Sequence, residues 1–108
     1  MKISVIIPAH NEEKTISKCL DSVYNQTFKD FECVVVADAC TDRTAEVAKS
    51  YGAKVIEANV HNDGLSRNIG MENSTGEWIL FIDADDWWLH EYVFELLSER
   101  TKDNTYKN

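Results

Sequence analysis

The chain has 108 residues, of which 44% are hydrophobic and 28% are charged, and it carries a formal net charge of −8. This length fits one domain with a core of its own, and the balance of residues is typical of a soluble globular protein. The negative charge argues against general nucleic-acid binding and against docking on an anionic membrane surface.

The first half of the chain alternates between strand-like and helix-like segments. Short apolar runs rich in β-branched residues predict strands buried on both faces, and apolar residues at helical spacing predict helices. In chain order these are a strand over residues 3–7, a helix over 12–24, a strand over 31–37 and a helix over 42–50. Asn11 is suited to cap the first helix, whose apolar face is formed by Ile16, Cys19, Leu20 and Val23. The second helix can start from Thr41 and end at Gly52.

The second half repeats this order. It comprises a strand over residues 54–58, a helix over 65–72, a strand over 77–82 and a helix over 90–100. Asn62 or Asp63 can cap the third helix. The last helix has an apolar side formed by Tyr92, Val93, Leu96 and Leu97.

Strands that alternate with helices predict parallel strands joined by right-handed crossovers. The expected fold is therefore α/β, a three-layer open and mainly parallel sheet of about four strands flanked by helices. We expect this domain to span residues 1–100 and the polar tail over 101–108 to be frayed.

The cysteines Cys19, Cys33 and Cys40 are odd in number and lack CxxC spacing, which indicates free thiols in a reducing compartment. The first residues turn polar after a short apolar run, unlike a secretion signal. No segment approaches the ~20 apolar residues that span a bilayer. We therefore expect a cytoplasmic protein without a transmembrane segment.

A polar cluster follows each predicted strand. The sequences are "PAHNEE", "DACTD", "NVHNDG" and "DADD". If the strands are parallel, all four clusters meet at the carboxyl edge of the sheet, where such sheets bind ligands. Strand ends are often polar for structural reasons, because Asn and Asp favour caps and turns, but four clusters at one edge favour a binding site.

The "DADD" cluster is the strongest candidate for a metal site. Asp83 and Asp85 point to the same side of an extended backbone, and carboxylates held this close disfavour each other's ionisation unless a cation intervenes. Oxygen ligands of this kind suit Mg²⁺ or Mn²⁺. Asp85 or Asp86 could instead cap the following helix. A DxD pattern alone is weak evidence, but it is stronger at the end of a buried strand.

Three further side chains belong to this edge. Asp38, at the end of the second strand, could accept hydrogen bonds from a flat heterocycle, whereas the expected role of Asp42 is to cap the second helix. Arg67, one turn into the third helix, could hold a diphosphate bidentately, or could be a solvated surface residue. The histidines are scattered and carry no assignment.

Three stretches of the sequence resemble family 2 glycosyltransferases, whose fold is GT-A. "SVIIPAHNEEKTISKCLDSVYNQTF" is similar to the opening of the family, and "ECVVVADACTDRTAEVAKSYG" to its second block. "NDGLSRNIGMENSTGEWILFIDADD" resembles the third and fourth blocks together. The match covers nearly all of residues 1–88.

The resemblance implies a site for a nucleotide-diphosphate sugar, with UDP as the expected nucleotide. The nucleoside pocket would comprise Pro8, Ala9, Asn11, Glu12 and Asp38, with Asp38 reading the base. Arg67 would lie beside the diphosphate. Asp83 would contact the ribose or the metal, and Asp85 the metal, which would be Mg²⁺ or Mn²⁺. Transfer would invert the anomeric carbon with the help of a carboxylate base.

The chain departs from the family pattern in two respects. The usual pair of Asp residues is Ala37-Asp38 here, and Cys40 stands where Ser is common, so the preferred donor is open. Family catalytic domains are also roughly twice as long, and the acceptor site and base have no counterpart after Trp88. The expectation is a nucleotide-sugar-binding half that is inactive in isolation.

The sequence leaves two other functions open, as well as the role of the two tryptophans. The chain could be a non-catalytic nucleotide-sugar-binding or regulatory module, or a Toprim-like Mg²⁺-dependent phosphotransfer domain that uses a Glu of "NEE". Trp87 and Trp88 could stack on a sugar or pack on the other half of a domain or on a partner chain. The exposed sheet edge or this Trp face could also form a homo-oligomer.

Overall fold

The computed structural model describes residues 2–87 and 90–102, with side chains up to residue 100. The strands are β1 (Ile3–Ala9), β2 (Phe31–Asp38), β3 (Lys54–Ala58) and β4 (Trp78–Phe81). The helices are α1 (Ile16–Tyr24), α2 (Thr44–Ser50), α3 (Asp63–Glu72) and α4 (Val93–Lys102). The predicted alternation of strands and helices is confirmed. Trp88 and the tail over 103–108 lie outside the described residues.

The four strands form one parallel sheet in the order β3-β2-β1-β4. β1 is central, and it pairs along its whole length with β2, from Ile3 opposite Phe31 to Ala9 opposite Ala37. Because all strands run the same way, the loops that follow them lie at one edge. The predicted three-layer α/β fold is confirmed.

The core lies between the sheet and helices α1, α2 and α4. Alternate residues of β1 and β2 face these helices and are buried with them, among them Ile3, Val5, Ile7, Cys33 and Val35. α3 covers the opposite face, where a Cβ added to Gly70 would overlap the side chain of Ile6. The missing side chain at Gly70 thus lets α3 lie directly on β1.

The two edge strands are more exposed than the sequence predicts. Trp78 and Phe81 of β4 are 47% and 42% exposed, so the expectation that this strand is buried on both faces is wrong. The reason is geometric: α3 packs on β1 and β2, and β4 lies beyond it at the edge of the sheet.

The last helix also differs from its prediction. Phe94 and Ser98 are its buried residues, whereas the predicted apolar side is largely exposed. Gln26, itself fully buried, accepts a hydrogen bond from the backbone N–H of Phe94 and donates one to the carbonyl of His90. These bonds fix the start of α4 so that Phe94 packs edge-to-face on Phe31.

The predicted capping residues are correct for one helix and wrong for another. α1 begins at Ile16, and Asn11 is used elsewhere. Asn62 caps α3 by accepting from the N–H of Leu65, as predicted, and Gly52 adopts a φ of 83° after α2. All three cysteines are free.

Within the part of the chain that the structure describes, no helix has the length and apolar character needed to cross a membrane.

Candidate functional site

The loops after the first three strands each contain a left-handed residue other than glycine. Asn11 follows β1 with φ 50°, Ala39 follows β2 with φ 52°, and His61 follows β3 with φ 51°. This region costs roughly 1–2 kcal/mol for an ordinary L-residue and less for Asn. Strained residues persist where the surroundings fix them, and they cluster at ligand sites. Their shared position marks the carboxyl edge as the candidate site.

Asp38 fixes the loop between β3 and α3. It is 4% exposed, and its Oδ1 accepts from the backbone N–H groups of Val60 at 2.8 Å and His61 at 3.0 Å. Its Oδ2 accepts from the N–H of Asn62 at 3.0 Å and from the hydroxyl of Ser66 at 3.3 Å. Burial acts to raise the pKa of Asp38, but these hydrogen bonds outweigh it and lower the pKa below its ordinary value.

The predicted role of Asp38 was to accept hydrogen bonds from a base. Its acceptor positions are instead engaged by the backbone of the β3–α3 loop. The geometry therefore favours a residue that shapes the pocket wall. The sequence could not show this, because the donors come from a left-handed turn around His61.

The loops after β1 and β2 are joined by hydrogen bonds between their polar residues. The side-chain carbonyl of Asn11 accepts from the N–H of Thr41 at 2.8 Å. The N–H of Glu12 donates to the hydroxyl of Thr44 at 2.9 Å. Asp42 accepts from the N–H of Thr44, the first residue of α2, but it stands one residue before the N-cap, which is Arg43, so it is not the cap that the sequence predicts. Asn11 and Glu12 thus lie in two loops that these hydrogen bonds hold together.

An open cleft of about 440 Å³ lies between these loops and α3. Its lining residues are His10, Asp38, His61, Asn62 and Asp63. Nδ1 of His10 lies 2.8 Å from the carbonyl oxygen of Asp38, and since that oxygen can only accept, Nδ1 carries the proton. Pro8 and Ala9 form the buried end of β1 next to the cleft. No pattern in the sequence predicts that both histidines lie here.

The three carboxylates after β4 come together. Asp83, Asp85 and Asp86 each offer an oxygen atom within 4.8 Å of the others, so Asp86 joins the predicted pair. All three residues offer carboxylate oxygens, and their side chains are exposed or half-buried. Carboxylate oxygens are the ligands that Mg²⁺ and Mn²⁺ prefer. In the described ranges, neither Glu12 nor Glu13 belongs to such a group, so the clustered carboxylates give the Toprim-like alternative no support.

Arg67 connects the cleft to these carboxylates. α3 begins at the cleft with Asp63, and one turn later Nη2 of Arg67 lies 3.7 Å from Oδ1 of Asp83. The guanidinium also lies over the ring of Phe81, 5.9 Å from its centroid. A cation held between a pocket and an acidic cluster is placed to bind an anionic group.

Cys19 contacts the acidic cluster in a way that the sequence does not predict. This fully buried residue of α1 lies with its Sγ 3.5 Å from the backbone carbonyl oxygen of Asp83. Burial, together with the charges of Asp86, Asp85 and Asp83, raises the pKa of its thiol to about 12. The thiol therefore keeps its proton and can donate it to that carbonyl, which ties the acidic segment to α1.

The sequence pattern that defines Glycosyl transferase family 2 matches residues 4–106. The chain is 41% identical over 97 residues to Glycosyltransferase GlyA of Streptococcus pneumoniae serotype 4. This aligned region covers 85% of this chain and 14% of GlyA.

Solved structures share most or nearly all of this fold. The structure of Staphylococcus aureus TarS residues 1–349 in complex with UDP-GlcNAc matches with a TM-score of 0.89 and 33% identity, over 95% of this chain and 32% of that one. TarS is a poly(ribitol-phosphate) beta-N-acetylglucosaminyltransferase. Glucosyl-3-phosphoglycerate synthase from Mycobacterium tuberculosis, in complex with Mn²⁺, UDP and phosphoglyceric acid, matches with a TM-score of 0.67 and 29% identity, over 77% of this chain and 32% of that one. The chain thus spans a third or less of the length of these relatives.

Proposed function

This chain belongs to glycosyl transferase family 2, and from that premise we propose that it forms the donor site of an inverting, UDP-sugar-dependent glycosyltransferase. One observation carries the proposal: α3 begins at an open cleft and places Arg67 3.7 Å from Asp83, the first of three clustered carboxylates. A nucleoside pocket, a cation for the diphosphate and a metal-binding group therefore follow one another along a single edge of the sheet. The solved relatives bound to UDP-GlcNAc and to UDP with Mn²⁺ support this assignment.

The nucleoside occupies the cleft. His10 and Asp38 line it at the ends of β1 and β2. Pro8 and Ala9 are the last two residues of β1 before His10, and Asn11 and Glu12 follow His10 in the loop. Asp38 does not bind the base itself, because its carboxylate accepts hydrogen bonds from the backbone of the β3–α3 loop. The base is therefore recognised by other groups that face the cleft.

The diphosphate lies between Arg67 and the acidic cluster. Asp83 and Asp85 would hold Mg²⁺ or Mn²⁺, and the carboxylate of Asp86 lies close enough to both to contribute a further oxygen. Such an ion supplies Lewis-acid stabilisation of the leaving diphosphate. Arg67 orients the same group through its planar guanidinium, and its contact with Asp83 keeps it directed at the site before the donor binds.

Transfer needs a base that removes the proton from the acceptor hydroxyl as its oxygen attacks the anomeric carbon and UDP leaves. We assign this base to a part of the enzyme beyond these 108 residues, in keeping with the larger size of the relatives. On this assignment the chain binds donor but does not transfer sugar. A non-catalytic binding module would bind the donor in the same way. It would differ from the donor site of an enzyme in transferring no sugar even when the remaining part of the protein is present.

Thermal unfolding of the chain with UDP, with and without Mn²⁺ or Mg²⁺, tests the donor site. We expect UDP to raise Tm only with metal, by about 10 °C at a hundredfold excess over Kd, because such binding adds ~2.7 kcal/mol. Asp85→Asn removes this response, whereas Glu77→Gln, just before β4 and so at the opposite edge of the sheet, retains it. A metal-independent rise, or an unchanged response in Asp85→Asn, contradicts the assignment.

Incubation of the purified chain with UDP-sugars and candidate acceptors tests the position of the base. We expect no release of UDP coupled to sugar transfer. Turnover by the purified chain would place a base within these residues and overturn that part of the proposal.

A further inference from the structure

A second groove lies on the outer side of α1, apart from the nucleotide cleft. It is lined by Lys18, Asp21, Ser22, Asn25, Trp87 and Glu91. Trp87 follows Asp86 of the acidic cluster directly, and the backbone of Asp83 contacts α1 through Cys19. The groove therefore starts beside the acidic cluster and runs along α1 towards its end at Tyr24.

Trp87 gives the groove an open aromatic surface. The side chain is 53% exposed, and the ammonium of Lys18 lies 5.1 Å from the ring centroid. This cation–π contact stabilises the ring in the groove. A large aromatic residue held at a polar surface offers a flat apolar face next to hydrogen-bonding groups.

The remaining lining groups can bind hydroxyl groups. Within residues 2–87 and 90–100, whose side chains the structure describes, no hydrogen bond to the side-chain amide of Asn25 or the carboxylate of Glu91 is present. The carboxylate of Asp21 accepts from the hydroxyl of Tyr51 at 2.7 Å, which leaves other acceptor positions open. Carboxylate and amide groups of this kind accept from and donate to neighbouring hydroxyls, as a sugar ring presents them.

Charge restricts what the groove can bind. Two carboxylates, Asp21 and Glu91, line the groove with one ammonium, Lys18. Trp87 also follows directly on Asp86, the last residue of the acidic cluster. A phosphate or carboxylate in the ligand would meet like charges at short range, which is costly. A neutral polyol meets no such penalty.

We propose that the groove between α1 and Trp87 binds a neutral saccharide portion of the acceptor, with one sugar ring stacked on Trp87. The proposal rests on the proposed function, because a groove that starts at the metal-binding group is placed for the acceptor. It also separates this chain from TarS, whose name denotes a poly(ribitol-phosphate) acceptor, since a polyanion is excluded by the charges of the groove.

NMR titration of the isotope-labelled chain, without UDP or metal, tests the groove independently of the donor site. The probes are cellotriose and triacetylchitotriose as neutral saccharides, and trigalacturonic acid as an anionic one of equal length. We expect at least one neutral probe to shift the indole N–H of Trp87 and the signals of Asn25, with the anionic probe giving much weaker binding. Trp87→Ala should weaken the neutral probe about tenfold or more, the size expected for one aromatic stacking contact.

Matched variants separate the possible outcomes. Trp78→Ala removes an equally exposed tryptophan from β4 and should leave saccharide binding unchanged, as should Asp85→Asn, which removes only the response to UDP. Asn25→Ala provides a second variant at the groove and should also weaken binding. The proposal is overturned if neither neutral probe shifts the groove signals, if trigalacturonic acid binds as well, or if Trp87→Ala and Asn25→Ala bind like the parent chain.

Discussion

Oδ1 of Asp38 lies 3.0 Å from the backbone nitrogen of His61, a residue in the left-handed conformation. A carboxylate at the end of β2 thus holds a strained turn that follows β3. Both residues line the cleft, so this contact holds two of its sides together. α3, which carries Arg67, begins two residues after His61, at Asp63.

We expect Asp38→Asn to lower the free energy of unfolding by about 2–4 kcal/mol, because the new amide group would place a donor against backbone N–H donors in a buried site. Urea denaturation at neutral pH measures this. Glu57→Gln removes an exposed charge that forms only a surface ion pair with Lys49 at 3.8 Å, so it should change stability by less than about 0.5 kcal/mol. Equal effects of the two variants would contradict the role given to Asp38.

The pH dependence of this effect has a definite sign. The pKa of Asp38 is lowered in the folded chain from an ordinary value of 3.8, so its charge stabilises the fold fully above that value. The contribution is lost as the pH falls through the lower, folded pKa. The difference in stability between the parent chain and Asp38→Asn should therefore be constant near neutral pH and shrink below about pH 4. A difference that grows on acidification would contradict this.

Arg67→Ala should weaken the binding of UDP in the presence of Mn²⁺ by about tenfold to a hundredfold, the range expected for lost charge-assisted hydrogen bonds. Arg67→Lys should recover only part of this, because an ammonium cannot bind bidentately. Isothermal titration measures both. Arg43→Ala, at an exposed residue paired with Glu46, is the matched control. Binding of Mn²⁺ alone should not weaken in Arg67→Ala, since Asp83 loses a competing cation.

Cys19→Ala and Cys33→Ala form a matched pair of buried substitutions. Both should lower stability by about 1–2 kcal/mol through lost packing. Only Cys19→Ala removes the contact with the carbonyl of Asp83, so only this variant should also weaken metal-dependent UDP binding, by several-fold. The same loss in Cys33→Ala would show that the effect is general destabilisation.

The thiols should differ in reactivity. Burial raises the pKa of Cys19 and of Cys33 to about 12, whereas Cys40 lies half-buried at the carboxyl edge. Since the thiolate is the reactive form, one thiol per native chain should react with Ellman's reagent at pH 8, and three in denaturant. Fast reaction of three thiols in the native chain would contradict the packing of α1 on the sheet.

Much of this arrangement follows from the sequence. The periodicity of the apolar residues predicts alternating strands and helices, and this alternation predicts parallel strands. Asp83 and Asp85 follow a strand and Arg67 lies near the start of a helix, so all three are predicted at the same edge of the sheet. The contacts of Asp38 and Asn11 do not follow in the same way. Both depend on left-handed turns whose donors come from distant loops, and neither Asn11 nor His61 is marked by a local pattern. The exposure of Trp78 and Phe81 depends on where α3 crosses the sheet, which no spacing within β4 encodes.

The strand order has a consequence for the assembly of the site. Among the described residues β4 pairs with β1 across about 75 residues of chain, and contacts over such separations are slow to form. Four residues on an exposed edge also open more easily than the central strands. The cleft next to β1, β2 and β3 can therefore form first, and the acidic cluster completes the site when β4 joins. Amide hydrogen exchange should then be fastest in β4, and a divalent ion with UDP should slow it there more than anywhere else in the sheet.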